Sequence, residues 1–211
     1  MKEIEKLKSG FQRFRERYYS REPELYEQLI NRGQSPKVLV IACCDSRVHP
    51  VQVMDTDPGD IFAVRNVANV VPPYEQDGKP HGTSAAIEFA VNHLFVKHII
   101  VLGHGHCGGI RSLMEGKHED HRYGFIDPWM DIVAPARDRA LKEHPDESFE
   151  EQCRACEQAN IDIALNNLMG FPWIRERVEE KHLFIHGWYF DIQQGVLYEY
   201  EDSSGAYKPV S

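Results

Sequence analysis

Two continuous apolar runs, each ending in a cluster of cysteine, histidine or aspartate, constrain this chain more than any other feature. The first, Lys37-Val38-Leu39-Val40-Ile41-Ala42, leads into Cys43-Cys44-Asp45-Ser46. The second, His98-Ile99-Ile100-Val101-Leu102, leads into Gly103-His104-Gly105-His106-Cys107-Gly108-Gly109. A short run that is apolar at every position reads as a strand buried on both faces, as in a parallel sheet covered by helices. In open sheets of that kind, ligands bind outside the carboxyl ends of the strands. The chemically unusual residues therefore fall where such a fold tends to place a site.

The rest of the chain fits the same architecture. Asp60 to Val64, Leu183 to Tyr189 and Val196 to Tyr200 read as further strands, the last two joined through Gln194-Gly195 and so antiparallel. Helical patterns cover residues 3–31 with a break near Arg21-Glu22-Pro23, a stretch capped by Thr83 or Ser84 and running to Leu94, Ile110 to Met114, 128–142 and 148–169. Strands alternating with helices predict an α/β fold: a central, mostly parallel β-sheet with an antiparallel edge strand, flanked by helices. Leu7, Phe11, Phe14 and Tyr18 recur at helical spacing among charged residues. Residues 1–33 are thus expected to form an N-terminal helical arm, packed on something such as a partner subunit, ahead of a single α/β domain over 34–211.

Charge and cysteine usage narrow the function classes. Lys plus Arg is 24 and Asp plus Glu is 33, a net charge of −9, which argues against nucleic-acid binding by phosphate neutralisation. No apolar run approaches the ~20 residues of a membrane helix, and the N-terminus lacks the apolar segment of a secretory signal, so a cytoplasmic address is expected. Five cysteines, an odd number, do not suggest a disulfide framework. Cys153-Arg154-Ala155-Cys156 is a C-x-x-C pair, but it lies in a helical pattern continued by Ala159, Ile163 and Leu168, which reads as core. Cys44 is read as a core or near-site residue.

Cys43, His104 and Cys107 form the candidate metal set. The histidine and second cysteine are three apart on a glycine-rich turn, and Cys43 arrives from another strand end. Two thiolates and an imidazole suit Zn²⁺, and three protein ligands leave the open fourth position of a catalytic zinc. His106 is an alternative ligand, although its place beside Cys107 makes shared chelation awkward. Asp45 could close the site by ligating the metal or accept a hydrogen bond from a water on it. Arg47, two residues on, favours the second role by pairing bidentately with the carboxylate. The plainer alternative makes Asp45 a turn or cap residue and Arg47 a surface cation.

These residues resemble those of the β-class carbonic anhydrases, particularly the plant-like subtype. Cys43-Cys44-Asp45-Ser46-Arg47 matches the C-x-D-S-R motif of that family, and His104 to Gly109 matches its H-x-x-C-G-G motif. Arg65-Asn66-Val67-Ala68-Asn69 is similar to its R-N-x-A-N segment, and His186-Gly187-Trp188 to its H-G-W strand. The resemblance implies zinc-dependent reversible hydration of CO₂ to bicarbonate and a proton through zinc-bound hydroxide. It implies Cys43, His104 and Cys107 as zinc ligands, with Asp45 and Arg47 as the dyad orienting the hydroxide. Gln34 would contact substrate, Phe62, Val67 and Phe89 would line a small apolar pocket, and the Gly108 N–H would hold a bicarbonate oxygen. Plant-like members often carry tyrosine where this chain has Phe89. His93 matches a histidine proposed to shuttle protons, with His49 as a nearby alternative. Family members form homodimers or higher even homo-oligomers whose pockets draw on two subunits.

The family also has a switchable type, in which the aspartate swings onto zinc and bicarbonate binds a tryptophan, an arginine and a tyrosine. The matching positions here are Val40, Arg65 and Phe190, so two of the three donors are missing. An open site is therefore expected, with Asp45 bonded to Arg47. Two other functional readings stand beside carbonic anhydrase activity: hydrolysis of a related heterocumulene such as carbonyl sulfide or carbon disulfide, and a structural or redox zinc protein without turnover.

Overall fold

In the computed structural model, whose described residues are 1–116, 124–201 and 204–210, both apolar runs are buried strands. They are β1 (Val38–Cys43) and, after β2 (Ile61–Asn66), β3 (His98–His104). β4 (Phe184–Asp191), β5 (Val196–Glu201) and β6 (Ala206–Pro209) complete a sheet ordered β2-β1-β3-β4-β5-β6. β2, β1, β3 and β4 run parallel, whereas β5 and β6 pair antiparallel. The expected antiparallel edge strand is thus a pair; β6 is too short for its alternation to register in the sequence.

The chain leaves β1 for one neighbour, β2, and later returns to its other neighbour, β3. Strand order therefore reverses between β1 and β3, and the crevice at such a switch point lies outside their carboxyl ends. Cys43 closes β1 and His104 closes β3.

The described residues divide into two compact units, Met1–Ser35 and Pro36–Ser211. In the first, α1 (Lys2–Glu16) passes through a π-helical turn at Arg17–Arg21, and α2 (Pro23–Arg32) restarts at a proline. Proline suits that first helical position because its missing N–H would have no helical partner there. Phe14, Tyr18, Tyr19 and Tyr26 hold the two helices together, with Tyr19 and Tyr26 ring centroids 4.9 Å apart.

In the second unit, α3 (Pro50–Val53) follows the first motif and α4 (Gly82–Glu88) continues into a π-helical turn ending at His93. His81, not Thr83 or Ser84, precedes the first turn of α4, and no side chain caps it. The Thr83 hydroxyl is instead 3.3 Å from the Asn66 amide. α5 (Gly108–Glu115) begins directly after Cys107. The helix expected over 128–142 is two, α6 (Ile126–Asp131) and α7 (Ala134–Glu143), the second starting with Pro135 in its first turn. α8 (Phe149–Met169) has a full capping box between Ser148 and Glu151, and α9 (Pro172–Glu179) follows.

Alternation along the strands sorts the core into two faces. Leu39, Ile41, Ile99 and Val101 pack towards Ile87, Ile161, Leu168 and Ile174, whereas Val40, Ala42, Ile100 and Leu102 form a cluster on the opposite face. Each wholly buried Leu or Ile contributes about 1.5–3 kcal/mol relative to exposure. α8 approaches the sheet over two glycines. A Cβ on Gly103 or on Gly187 would stand 2.7 Å from Ile161 side-chain carbons, so both positions must lack one.

Candidate metal centre

The sheet delivers Cys43 and His104 side by side, and the turn Gly105–His106 brings Cys107 back to them. The Sγ atoms of Cys43 and Cys107 are 3.9 Å apart. One ligand atom from each of Cys43, His104 and Cys107 lies within 4.8 Å of the others, and all three residues are buried. With Zn–S bonds of about 2.3 Å, two thiolates on a tetrahedral ion stand roughly 3.8 Å apart, so the sulfur spacing suits zinc. His104 Nδ1 lies 2.9 Å from the Gly105 carbonyl, which fixes the ring and leaves Nε2 as the lone-pair nitrogen. That Nε2 is buried and, among the described residues, has no hydrogen-bond partner. A buried imidazole nitrogen without a partner beside two thiols is what a metal would satisfy.

The thiols are electrostatically unequal. Cys43 is pulled well below the usual thiol range by the Cys107 thiol against the effect of burial, helped by His104 and the Asp45 N–H. The same contact with Cys43, with burial, pushes Cys107 up.

Asp45 and Arg47 form a two-pronged pair: Arg47 Nε is 2.9 Å from Oδ1 and Nη2 is 2.7 Å from Oδ2. The Arg47 N–H adds a third bond to Oδ1. Arg47 holds the carboxyl well below the usual carboxylate range, against the opposing effect of burial. The expected pairing of Asp45 with Arg47 is the one seen. Arg65, the one matching residue of the switchable set, donates Nε to the Cys43 carbonyl at 2.9 Å and Nη2 to the Asp45 carbonyl at 2.8 Å. Val40 and Phe190 lie in the apolar cluster on the opposite sheet face.

The remaining sequence-predicted residues fall into separate groups. Val67 packs at the second motif, where a Cβ on Gly109 would be 2.8 Å from Val67 Cγ1. Gly108 opens α5, next to Cys107. Phe62, Phe89 and His93 make one aromatic row, with centroid spacings of 5.9 and 5.4 Å. Phe89 is 43% exposed and His93 is exposed, so this row is open at its His93 end. Gln34 belongs to the first unit. His49 precedes α3 with its Nδ1 buried and, among the described residues, unpartnered. His106, the alternative ligand, lies outside the metal set, with its ring 4.0 Å from Glu150. Cys44 is exposed, which overturns the core half of its reading. Cys153 and Cys156 are buried on α8, where burial pushes their thiols up to about 11 and about 12. A second group of ligand-type residues, Glu75, Asp77 and His81, is largely exposed, and Asp77 is already paired with His81 and Lys79.

Glu157 went unnoticed in the sequence. It lies on α8, only 4% exposed, where it accepts the Cys107 N–H at 2.8 Å and the Tyr189 hydroxyl at 2.9 Å. Burial pushes its carboxyl up, opposed by those two donors. A glutamate between Cys156 and Gln158 on a helix reads as surface charge, and no local pattern marks it as buried.

Comparison with known proteins agrees with the geometry. Residues 38–197 match the family model described as carbonic anhydrase. The chain is 41% identical to "Beta carbonic anhydrase 3" of Arabidopsis thaliana over 196 residues, covering 92% of this chain and 75% of that protein. It is 42% identical to "Beta carbonic anhydrase 5, chloroplastic" of the same plant, covering 88% of this chain and 61% of that protein. Among solved structures, the β-carbonic anhydrase CcaA superposes with a TM-score of 0.93 at 31% identity, covering all of this chain and 93% of that one. A structure from a study of two tetrameric β-carbonic anhydrases of Sordaria macrospora matches with a TM-score of 0.82 at 31% identity, covering 94% and 97%.

Proposed function

The chain belongs to the β-carbonic anhydrase family, and from that premise we propose that it catalyses the zinc-dependent, reversible hydration of CO₂ to bicarbonate and a proton. The observation that carries the reading is the buried Cys43–His104–Cys107 set, with its unpartnered imidazole nitrogen, standing beside the intact Asp45–Arg47 pair. A purely structural metal site has no need of such a pair.

In this reading Cys43, His104 and Cys107 hold the zinc. Zinc held there would supply Lewis-acid chemistry, polarising water and lowering its pKa towards ~7. Asp45, kept ionised by Arg47, accepts a hydrogen bond from the attacking water and turns its lone pair towards the carbon of CO₂. A carboxylate gripped by a guanidinium is also kept off the metal. Val67 offers apolar surface at the second motif, and Phe62 and Phe89, which form a separate row, would add theirs from a partner subunit, giving the apolar surroundings that a small uncharged substrate requires. The Gly108 N–H, which has no partner within its own helix because it lies in the first turn of α5, donates to an oxygen of bicarbonate. His93, exposed beside Phe89, passes the proton to buffer.

An even homo-oligomer belongs to the same proposal. On α1, Ile4, Leu7 and Phe11 are each more than half exposed and follow one another at helical spacing, which fits an arm that packs on a partner subunit. A cytoplasmic address completes the reading, and cell fractionation tests it; among the described residues no helix is long and apolar enough to cross a membrane. The activity is tested by ¹⁸O exchange between CO₂ and water on protein of measured zinc content, with a parallel carbonyl sulfide assay. Rapid exchange with slow carbonyl sulfide turnover supports the proposal. Zinc-replete protein inert towards CO₂ refutes it, and turnover of carbonyl sulfide alone reassigns the substrate.

A further inference from the structure

We propose that Glu157 is a positioning residue of the metal centre, which fixes Cys107 by holding one end of a peptide group whose other end is held by Arg47. The inference rests on the zinc reading above.

The peptide in question joins His106 to Cys107. Its carbonyl accepts from Arg47 Nη2 at 2.9 Å, and its N–H donates to Glu157 Oε1 at 2.8 Å. A peptide is partly negative at oxygen and partly positive at N–H. A guanidinium thus stands at the negative pole and a carboxylate at the positive pole, each in a charge-assisted bond. Reversing the peptide would set the carbonyl against the carboxylate and the N–H against the guanidinium. The plane that carries Cys107 therefore has one favourable orientation.

Three further observations point to the same role. His106 sits at φ +56°, in the left-handed region that a non-glycine residue rarely adopts, so the turn needs outside support. The Gly105 N–H supplies some, bonding to the Phe190 carbonyl at 2.9 Å. Glu157 is itself held by the buried Tyr189, whose hydroxyl would be 3.1 Å from a Cβ on Gly105. Finally, an acid buried this deeply is costly unless bonded, and both of its oxygens are used.

The consequence is a continuous linkage. Asp45 is bonded to Arg47, Arg47 to the His106–Cys107 peptide, and that peptide to Glu157. The residue that orients the attacking water and the residue that ligates zinc are thereby set by one clamp. Loss of the Glu157 acceptor should free the peptide, shift Cys107 Sγ and loosen Arg47.

The test compares Glu157→Leu, Glu157→Gln and Tyr189→Phe as cobalt- and zinc-loaded full-length protein, with metal content and thermal midpoint measured for each. Glutamine can still accept the Cys107 N–H and donate to Tyr189. The expected result is that Glu157→Leu shifts the visible ligand-field and thiolate bands of the cobalt protein and lowers kcat for CO₂ hydration at least fivefold. Glu157→Gln should restore most of both, and Tyr189→Phe should show a smaller change in the same direction. If Glu157→Leu does not fold, the Tyr189→Phe bands decide. Unchanged cobalt bands and kcat in a folded Glu157→Leu, or unchanged bands in Tyr189→Phe where the leucine variant is lost, overturn the proposal. Bands restored by glutamine without recovery of kcat also overturn it, since charge rather than position would then matter. The cobalt bands report on the ligands even if wild-type protein proves inert towards CO₂, so failure of the functional reading is distinguishable from failure of this one.

Discussion

Arg47 grips Asp45 through three donors, its backbone N–H, Nε and Nη2, at 2.9, 2.9 and 2.7 Å. The carboxylate is only 15% exposed while the guanidinium is half exposed, so the pair closes over the carboxylate from the solvent side. Arg47→Lys keeps the charge but loses the planar fork. The expected outcome is a fall in kcat of about tenfold or more, the rough scale on which misplaced acid–base groups act, with zinc content unchanged. Stopped-flow CO₂ hydration beside elemental analysis checks it; a lysine variant at wild-type rate would show that the charge suffices.

Metal removal should loosen the site without dissolving the fold. The ligands lie at strand ends, whereas the residues behind them, Leu39 to Ala42 and Ile99 to Leu102, are buried in the sheet. Chelation should leave the far-ultraviolet circular dichroism nearly unchanged and lower the thermal midpoint. Zinc at about a hundred times its dissociation constant should return about 2.7 kcal/mol. Collapse of secondary structure on chelation would instead assign the metal a structural role.

Gly187→Ala probes the contact between α8 and the sheet. The added methyl would meet Ile161 Cγ2 at 2.7 Å, Leu165 Cδ1 at 3.1 Å and Tyr200 Cβ at 3.2 Å. Overpacking of this kind costs about 1–3 kcal/mol. Urea denaturation should show a lower midpoint with an unchanged slope; an unaffected midpoint would mean that α8 shifts freely over β4.

Asp191 gives a pH-dependent contribution of known sign. Burial pushes its carboxyl up, but the Gln194 N–H, Arg154 and the Gln193 N–H outweigh burial and hold it below the usual carboxylate range. A depressed folded value means that its stabilisation is complete above the unfolded value, about 3.9. That stabilisation is lost as pH falls through the folded value. Asp191→Asn should therefore be less stable than wild type by about 1–2 kcal/mol at neutral pH, with the gap narrowing below about pH 4. A gap that widens on acidification would contradict the assignment.

The strands and the metal set were legible in the sequence because both rest on local signals. β1 and β3 are unbroken apolar runs, and their polar ends carry the ligands. The Asp45–Arg47 pair was legible because its partners are two residues apart. What escaped depends on residues distant in the chain. Glu157 meets Cys107 across 50 positions, and Arg65 reaches Cys43 across 22. The missed helix α9 and strand β6 are short, so their periodicity is weak. Thr83 looked like a cap because its residue type suits one, but the Asn66 amide lies beside its hydroxyl.

The central claim is that zinc held by Cys43, His104 and Cys107, served by Asp45, hydrates CO₂. Stopped-flow hydration by zinc-quantified wild type and Asp45→Asn, from pH 6 to 9, tests it most directly. The account predicts that wild type is fast at neutral pH and that the variant is slower by about a hundredfold or more with equal zinc. Inert wild type with full zinc, or a variant as fast as wild type, would contradict it.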